Sequence, residues 1–222
     1  MTSKRQFTGD IIYNQLKKMI IEWEYEPEQM ISEEMLTNKL GVSRTPLRQA
    51  LYRLELEGLV VRQSNGRMHV APISIHEAQE IFKVREVLEG LIAREATKNI
   101  TKEQLARMED TLELMDRAAQ DNRKFDALRY GSEFHHYLYE PSQNQTAVHF
   151  LSQLNSRLER YRRLGGYKNP KYLPMLPVKE HKDIFEAIAT GNADLAEQAM
   201  RAHIKRSLNV TIETLQMSSS GL

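Results

Sequence analysis

Four residues, Ser43, Arg44, Thr45 and Arg48, have the types and spacing that nucleic-acid chemistry requires. Arg44 and Arg48 stand four apart, which puts both guanidiniums on one face of a helix. A guanidinium fork can bond guanine O6 and N7 together, and each good pair discriminates by about 1–3 kcal/mol. Side chains at the N-terminal end of a helix lying in the major groove point at base edges, so Thr45 belongs with the two arginines. Ser43 and the free amides of a helix start suit a phosphate. Arg62 and Arg67 flank Asn65-Gly66, where a hairpin tip would meet the DNA backbone or the minor groove. The competing reading is a capping serine beside a solvated arginine face.

A second group is His135, His181 and His203. The chain has no cysteine, so a metal would have to be held by His, Asp, Glu or water. Each histidine falls on a separate predicted helix among apolar neighbours: Phe134 and Leu138, Ile184 and Phe185, and Ile204. Neutral imidazole is the commonest protein ligand for transition metals, and helical bundles build metal sites from facing helices. One histidine per helix also describes three unrelated histidines, and spacing alone favours that reading. An enzyme using these groups would need a general base close by. There is no HExxH segment, and Glu180, next to His181, is expected to project elsewhere on its helix.

These residues need elements to position them. Ile12, Leu16, Met19, Ile20 and Trp23 share a helical face, predicting a first helix over Gly9–Trp23. The stretch Glu24–Ile31, with Pro27, breaks that period. Ser32 caps a second helix, which carries Leu36 and Leu40 and closes at Gly41. Ser43 then caps a third, in which Leu47, Ala50, Leu51 and Leu54 form the buried face, Pro46 sits in the first turn and Gly58 ends it. LVVRQ and RMHVA read as strands around Asn65-Gly66, a two-residue hairpin signal. Three helices and a hairpin in this order make a winged helix-turn-helix. Ala71–Ser74 is a joint, so residues 1–72 are taken as one domain and 73–222 as another. The second part shows no strand alternation. Ile81, Val84, Val87, Leu88, Leu91 and Ile92 mark a long helix, and further helices follow at Thr101–Ala119, Phe125–Tyr139, Gln145–Leu164, Val178–Thr190 and Ala193–Leu215. The expected fold is mainly α, a winged helix-turn-helix followed by an all-α bundle of six or seven helices.

The run LGVSRTPLRQALYRLELEGLV with the Asn65-Gly66 wing resembles the N-terminal domain of the GntR family, over about residues 8–72. The resemblance implies that Arg44, Thr45, Arg48 and Gly66 contact operator DNA. Members often carry an arginine where this chain has Glu34, a departure expected to weaken or shift a phosphate contact. The segments VREVLEGLIAREA, EFHHYLYEPSQN and EHKDIFEAIATGNADLAEQAMRAHI resemble the FCD ligand-binding domain of FadR-type regulators, over about 76–215. Many such domains hold a divalent metal with one aspartate and three histidines. His135, His181 and His203 match the histidines, whereas Gly131 stands where the aspartate is expected, which leaves either a weaker three-histidine site completed by water or a bound carboxylate, or a metal-free pocket whose histidines contact the ligand. Arg85 matches an arginine that commonly lines the pocket, and the alternative for it is a surface salt bridge with Glu89. Zinc or nickel with an arginine nearby would suit an organic acid. The Tyr161-Arg162-Arg163 cluster is expected to be solvated, the alternative being a contact with DNA or ligand.

Composition is compatible with this. Of 222 residues, 41% are hydrophobic and 27% charged, with a net charge of only +1. The charge is uneven: Glu22–Glu34 holds six acids and no base, while Ser43–Val70 holds five arginines against two acids. No signal-peptide core or membrane-length apolar run is present, so a cytoplasmic location is expected. One recognition helix reads few base pairs, so tight binding implies a homodimer on a palindromic double-stranded operator. The sequence thus predicts a DNA-binding transcription regulator, in sense a repressor, modulated by a small carboxylate. A metal-dependent enzyme and a DNA-packing protein without effector are the alternatives.

Overall fold

A computed structural model of the chain describes residues 8–167, 169 and 172–219. The chain divides into two compact units, Met1–Ile73 and Ser74–Leu222.

Unit 1 contains α1 (Thr8–Ile21), β1 (Met30–Ile31), α2 (Glu33–Leu40), α3 (Arg44–Leu56), β2 (Val60–Arg62) and β3 (Met68–Val70). Helix α1 stops two residues before the expected Trp23. Trp23 itself adopts a left-handed φ of 63°, and the Glu24 and Trp23 amides donate to the carbonyls of Met19 and Ile20. This is a Schellman ending, with tryptophan in the place glycine usually takes. Helix α2 begins at Ser32, whose hydroxyl accepts from the Met35 amide, and ends at Gly41 with φ 64°. Leu16, Ile20, Leu36, Leu47, Ala50, Leu51 and Leu54 close a core with Leu59, Val60 and Val70 of the hairpin.

The sheet has three strands in the order β1-β3-β2. The segment taken from sequence as a mere break supplies β1, which pairs Met30 with His69 and Ile31 with Met68. Two residues are too few to show an alternation. The hairpin loop is also longer than the Asn-Gly pair suggested. Gly66 N–H donates to the Gln63 carbonyl at 2.8 Å, and Gln63 N–H donates to the Arg67 carbonyl at 2.9 Å. Only Gly66 in the loop has positive φ, at 80°. The result is a type I turn with a glycine bulge, because a two-residue type I′ turn would also need positive φ at Asn65. Asn65 instead accepts the Arg67 amide with its side chain.

Unit 2 is helical: α4 (Ile75–Asn99), α5 (Lys102–Gln120), α6 (Lys124–Tyr137), α7 (Tyr139–Ser142), α8 (Gln145–Tyr167), α9 (Met175–Ala189) and α10 (Ala193–Ser219). Ser74 caps α4, Thr101 and Gln104 form a capping box on α5, and Asn192 accepts the Leu195 amide at the start of α10. Helix α4 packs along α10, and α5 packs on α6 and α9. The buried face of α4 runs through Ala78, Phe82, Arg85, Glu89, Ile92 and Ala96. Of the apolar series that marks this helix in sequence, Ile81 and Ile92 are buried, whereas Val84 and Val87 are 48% and 51% exposed. They begin a second, outward apolar stripe with the half-buried Leu88 and Leu91. The charged residues Arg85 and Glu89 had disguised the true inner stripe.

Candidate nucleic-acid interface and histidine centre

Ser43, Arg44, Thr45 and Arg48 lie together, exposed, over the first turns of α3. The helix is held from behind by Leu47, Ala50, Leu51 and Leu54, all buried, so the opposite face carries the polar side chains. Ser43 occupies the N-cap position with extended backbone (φ −76°, ψ 160°), but its hydroxyl makes no bond to a helix amide, contrary to the expected side-chain cap. The first amides of α3 and the hydroxyl are therefore both available to an anion. Arg48 is not free: its Nε donates to both carboxylate oxygens of Glu33 on α2, at 3.0 and 2.9 Å. Arg62, expected near the hairpin tip, turns back to Glu55 at 3.3 Å. Gly66 and Arg67 are exposed at the tip, and Glu34 is exposed on α2.

The three histidines converge. The residues are 2% (His135), 2% (His181) and 6% (His203) exposed, which excludes three unrelated surface histidines. His135 comes from α6, His181 from α9 and His203 from α10, and one ligand nitrogen from each lies within 4.8 Å of the others. Each ring is anchored from behind. Nδ1–H of His135 donates to Glu89 at 3.0 Å, that of His181 to the Pro177 carbonyl at 2.7 Å, and that of His203 to Glu180 at 2.8 Å. Such partners select the tautomer that leaves Nε2 with its lone pair, the arrangement in which histidines ligate metals. Nε2 of His135 and of His181 is buried with no hydrogen-bond partner. Buried polar atoms without partners are rare and costly, so these two nitrogens point to a missing Lewis acid or proton donor.

Electrostatics supports neutral rings. Burial, reinforced by the neighbouring imidazoles, pushes His181 and His203 well below the usual histidine range. Burial also lowers His135, against the opposing pull of Glu89. For Glu89 burial works to raise the carboxyl, but His135, Arg85 and Arg162 outweigh it and hold the group below the usual carboxylate range. Glu89 thus accepts from His135 Nδ1–H as a carboxylate. The residues present fit a divalent ion.

A cavity of about 50 Å³ opens beside the rings, lined among others by Arg85, Gly131, Arg162, His181, His203 and Arg206. Arg85 is 2% exposed and bonds Glu89 at 3.3 Å, so its pair with Glu89 exists but is buried, not on the surface. Glu180 was expected to project elsewhere, yet it reaches α10 and bonds both His203 and Arg206. The Tyr161-Arg162-Arg163 cluster is not a solvated patch: Tyr161 is buried on Ser74 and Glu77, Arg162 lines the cavity, and Arg163 bonds Glu159 at 3.3 Å. Glu89 and Arg206 were not singled out beside the histidines, and Arg162 entered only through the alternative of a ligand contact. The one signal in sequence was the i, i+4 spacing of Arg85 and Glu89.

Comparison with known proteins agrees with this architecture. Residues 8–70 match the profile of bacterial regulatory proteins of the gntR family, and residues 80–206 match the FCD domain. The HTH-type transcriptional regulator YdhC of Bacillus subtilis (strain 168), itself uncharacterized, is 30% identical over 86% of this chain and 85% of its own length. The HTH-type transcriptional repressor RspR of Escherichia coli (strain K12) is 26% identical over 87% of this chain and 84% of its own. The fold is shared with E. coli McbR/YncC, with a TM-score of 0.78 at 20% identity over 96% of this chain and 99% of that one. Fold and relatives define a helix-turn-helix transcription regulator, not an enzyme. The chain belongs to the GntR family and carries an FCD domain. Among the described residues no helix is long and apolar enough to cross a membrane.

Proposed function

We propose that this regulator is a cytoplasmic, homodimeric repressor whose hold on a palindromic operator responds to a small organic acid bound at a metal centre. The carrying observation is the set of three converging imidazoles, each anchored at Nδ1, of which His181 and His203 line a cavity that also holds guanidiniums. His135, His181 and His203 would hold a divalent ion such as zinc or nickel on one face, the donor set those ions favour. Such an ion supplies affinity for a carboxylate oxygen. Arg85, fixed by Glu89, offers a second anchor for the acid, and burial keeps competing water few. The cavity volume equals the space of about three to five waters, which suits a compact acid and not a long acyl chain.

On the DNA side Arg44, Thr45 and Arg48 read base edges, while Ser43 and the α3 amides, Arg62, Gly66 and Arg67 hold phosphates or the minor groove. Two copies are needed for affinity, and the outward stripe of Val84, Val87, Leu88 and Leu91 supports association. The repressor sense follows the relative RspR.

The test is operator binding by the chelator-stripped and zinc-loaded protein across a panel of small carboxylic acids. Affinity should change with acid and metal by about 5- to 150-fold, the usual range of allosteric coupling. Arg44→Ala should weaken specific binding by about 5- to 150-fold, one lost bidentate contact. Unchanged affinity in both Arg44→Ala and Arg48→Ala would eliminate the readout. A wild type that takes up no zinc or nickel, and that behaves like His181→Ala, would eliminate the metal centre.

A further inference from the structure

The histidine triad is electrically incomplete. Among the described residues the cluster able to hold a metal consists of His135, His181 and His203, with no carboxylate among them. Two carboxylates come near but are committed behind the rings: Glu89 to His135 and Arg85, and Glu180 to His203 and Arg206. Arg162, the third guanidinium of the cavity, is paired with Glu159 at 3.7 Å. These pairings offset the three arginines and leave both charges of a divalent ion without a counter-charge in a buried space. An uncompensated charge there carries a large desolvation penalty. A backbone position without a side chain, Gly131, lies beside the triad on α6, one turn before His135. A Cβ at that position would stand 3.5 Å from Nε2 of His181, and Gly131 lines the cavity.

We propose that, through Gly131, this chain makes the metal and an external carboxylate mutually dependent ligands. A small carboxylate entering beside Gly131 supplies the anionic oxygen the protein lacks, so that neither ligand binds tightly alone. A dicarboxylate fits best, since two negative charges match the ion and Arg85 offers the second end a partner. This inference rests on the metal-centre reading above and deepens it. Linkage makes the effect reciprocal: the factor by which carboxylate tightens metal is the factor by which metal tightens carboxylate.

The experiment uses full-length, chelator-stripped protein. Zinc affinity is measured by competition with a chromophoric chelator in three buffers: without carboxylate, with acetate and with succinate, corrected for zinc–carboxylate complexes in solution. Acetate or succinate should tighten zinc by about 5- to 150-fold in the wild type. Gly131→Asp should bind zinc tightly in every buffer and gain nothing from either anion. Succinate affinity of the wild type with and without zinc should change by the same factor, a measurement that stands even where Gly131→Asp fails to fold. Zinc binding that is unmoved by either anion in the wild type overturns the coupling and leaves the metal centre standing. No zinc uptake by wild type in any buffer overturns the centre and the coupling with it.

Discussion

Glu89 holds two neighbours at once, accepting from Arg85 and from His135 while 2% exposed. Removing it leaves a guanidinium buried without an anion, a loss of about 3–5 kcal/mol for a broken buried pair. Glu89→Ala should therefore lower the stability of unit 2 by that amount in urea unfolding. Arg85→Met/Glu89→Leu should recover most of it, since replacing both partners with apolar groups is often neutral. Equal losses in the single and the double variant would show that the pair is not what stabilises this region. Glu33 poses the opposite case, because its pair with Arg48 is exposed and contributes about 0–1 kcal/mol to stability. Glu33→Gln should leave unfolding unchanged and tighten operator binding about 2- to 5-fold by releasing Arg48 and removing a like charge from the phosphate side. Weaker binding in that variant would mean that Glu33 orients Arg48 for its base. The contrast shows what sequence could reveal about the site. Arg44, Arg48 and the histidines were legible by type, because each lies on a helix whose period shows its face. Glu89, Glu180, Arg162 and Arg206 were not, because their partners lie on other helices and one-helix periodicity does not see across a bundle.

At the scale of elements, two glycines inside helices have opposite reasons to be there. A Cβ at Gly90 of α4 would meet Arg201 of α10 at 2.8 Å from Cγ and 2.9 Å from Nε. Arg201 would have to leave, and with it the contact to Glu86 that ties α10 to α4 and the pair with Glu197 within α10. A Cβ at Gly131 meets Met115 and His181 no closer than 3.4 Å, which is ordinary contact. Gly131→Ala should therefore stabilise by up to about 1 kcal/mol through helix propensity. Gly90→Ala should destabilise by about 1–3 kcal/mol, the cost of overpacking. Thermal unfolding of the two variants decides it, and a stabilising Gly90→Ala would show that α4 and α10 are less tightly apposed than described. The same helix shows why element faces were partly misread. On α4 a charged pair, Arg85 and Glu89, lies on the inner stripe with Ile81 and Ile92 while Val84 and Val87 lie outside, so the apolar series found the helix but mixed its two faces. Caps fared better, since Ser32, Ser74, Thr101 and Asn192 each bond an amide three residues on. Strand β1 escaped because two residues carry no period, and the Asn-Gly hairpin was legible while its loop type depended on the φ of Asn65.

At the scale of the whole molecule, the chain has two compact units, and the unit 1 core is built from its own helices and hairpin. Two-state unfolding is a property of single cores, so two transitions are expected. A ligand that binds only the native form of one unit raises that transition by RT ln(1 + [L]/Kd), about 2.7 kcal/mol at a hundredfold excess over Kd. For a unit the size of Ser74–Leu222 this amounts to about 5–10 °C. Zinc with succinate should lift one calorimetric transition and leave the other in place, while operator duplex should lift only the other. His181→Ala should abolish the first shift and Arg44→Ala reduce the second. A single transition moved equally by both ligands would refute this independence. Regulation then has a thermodynamic signature of its own. If acid and metal loosen the hold on operator, the stabilisation they give to DNA-bound protein must be smaller than the one they give to free protein. The deficit must equal the loss of operator affinity measured by titration, because the coupling free energy between two sites is the same from either side.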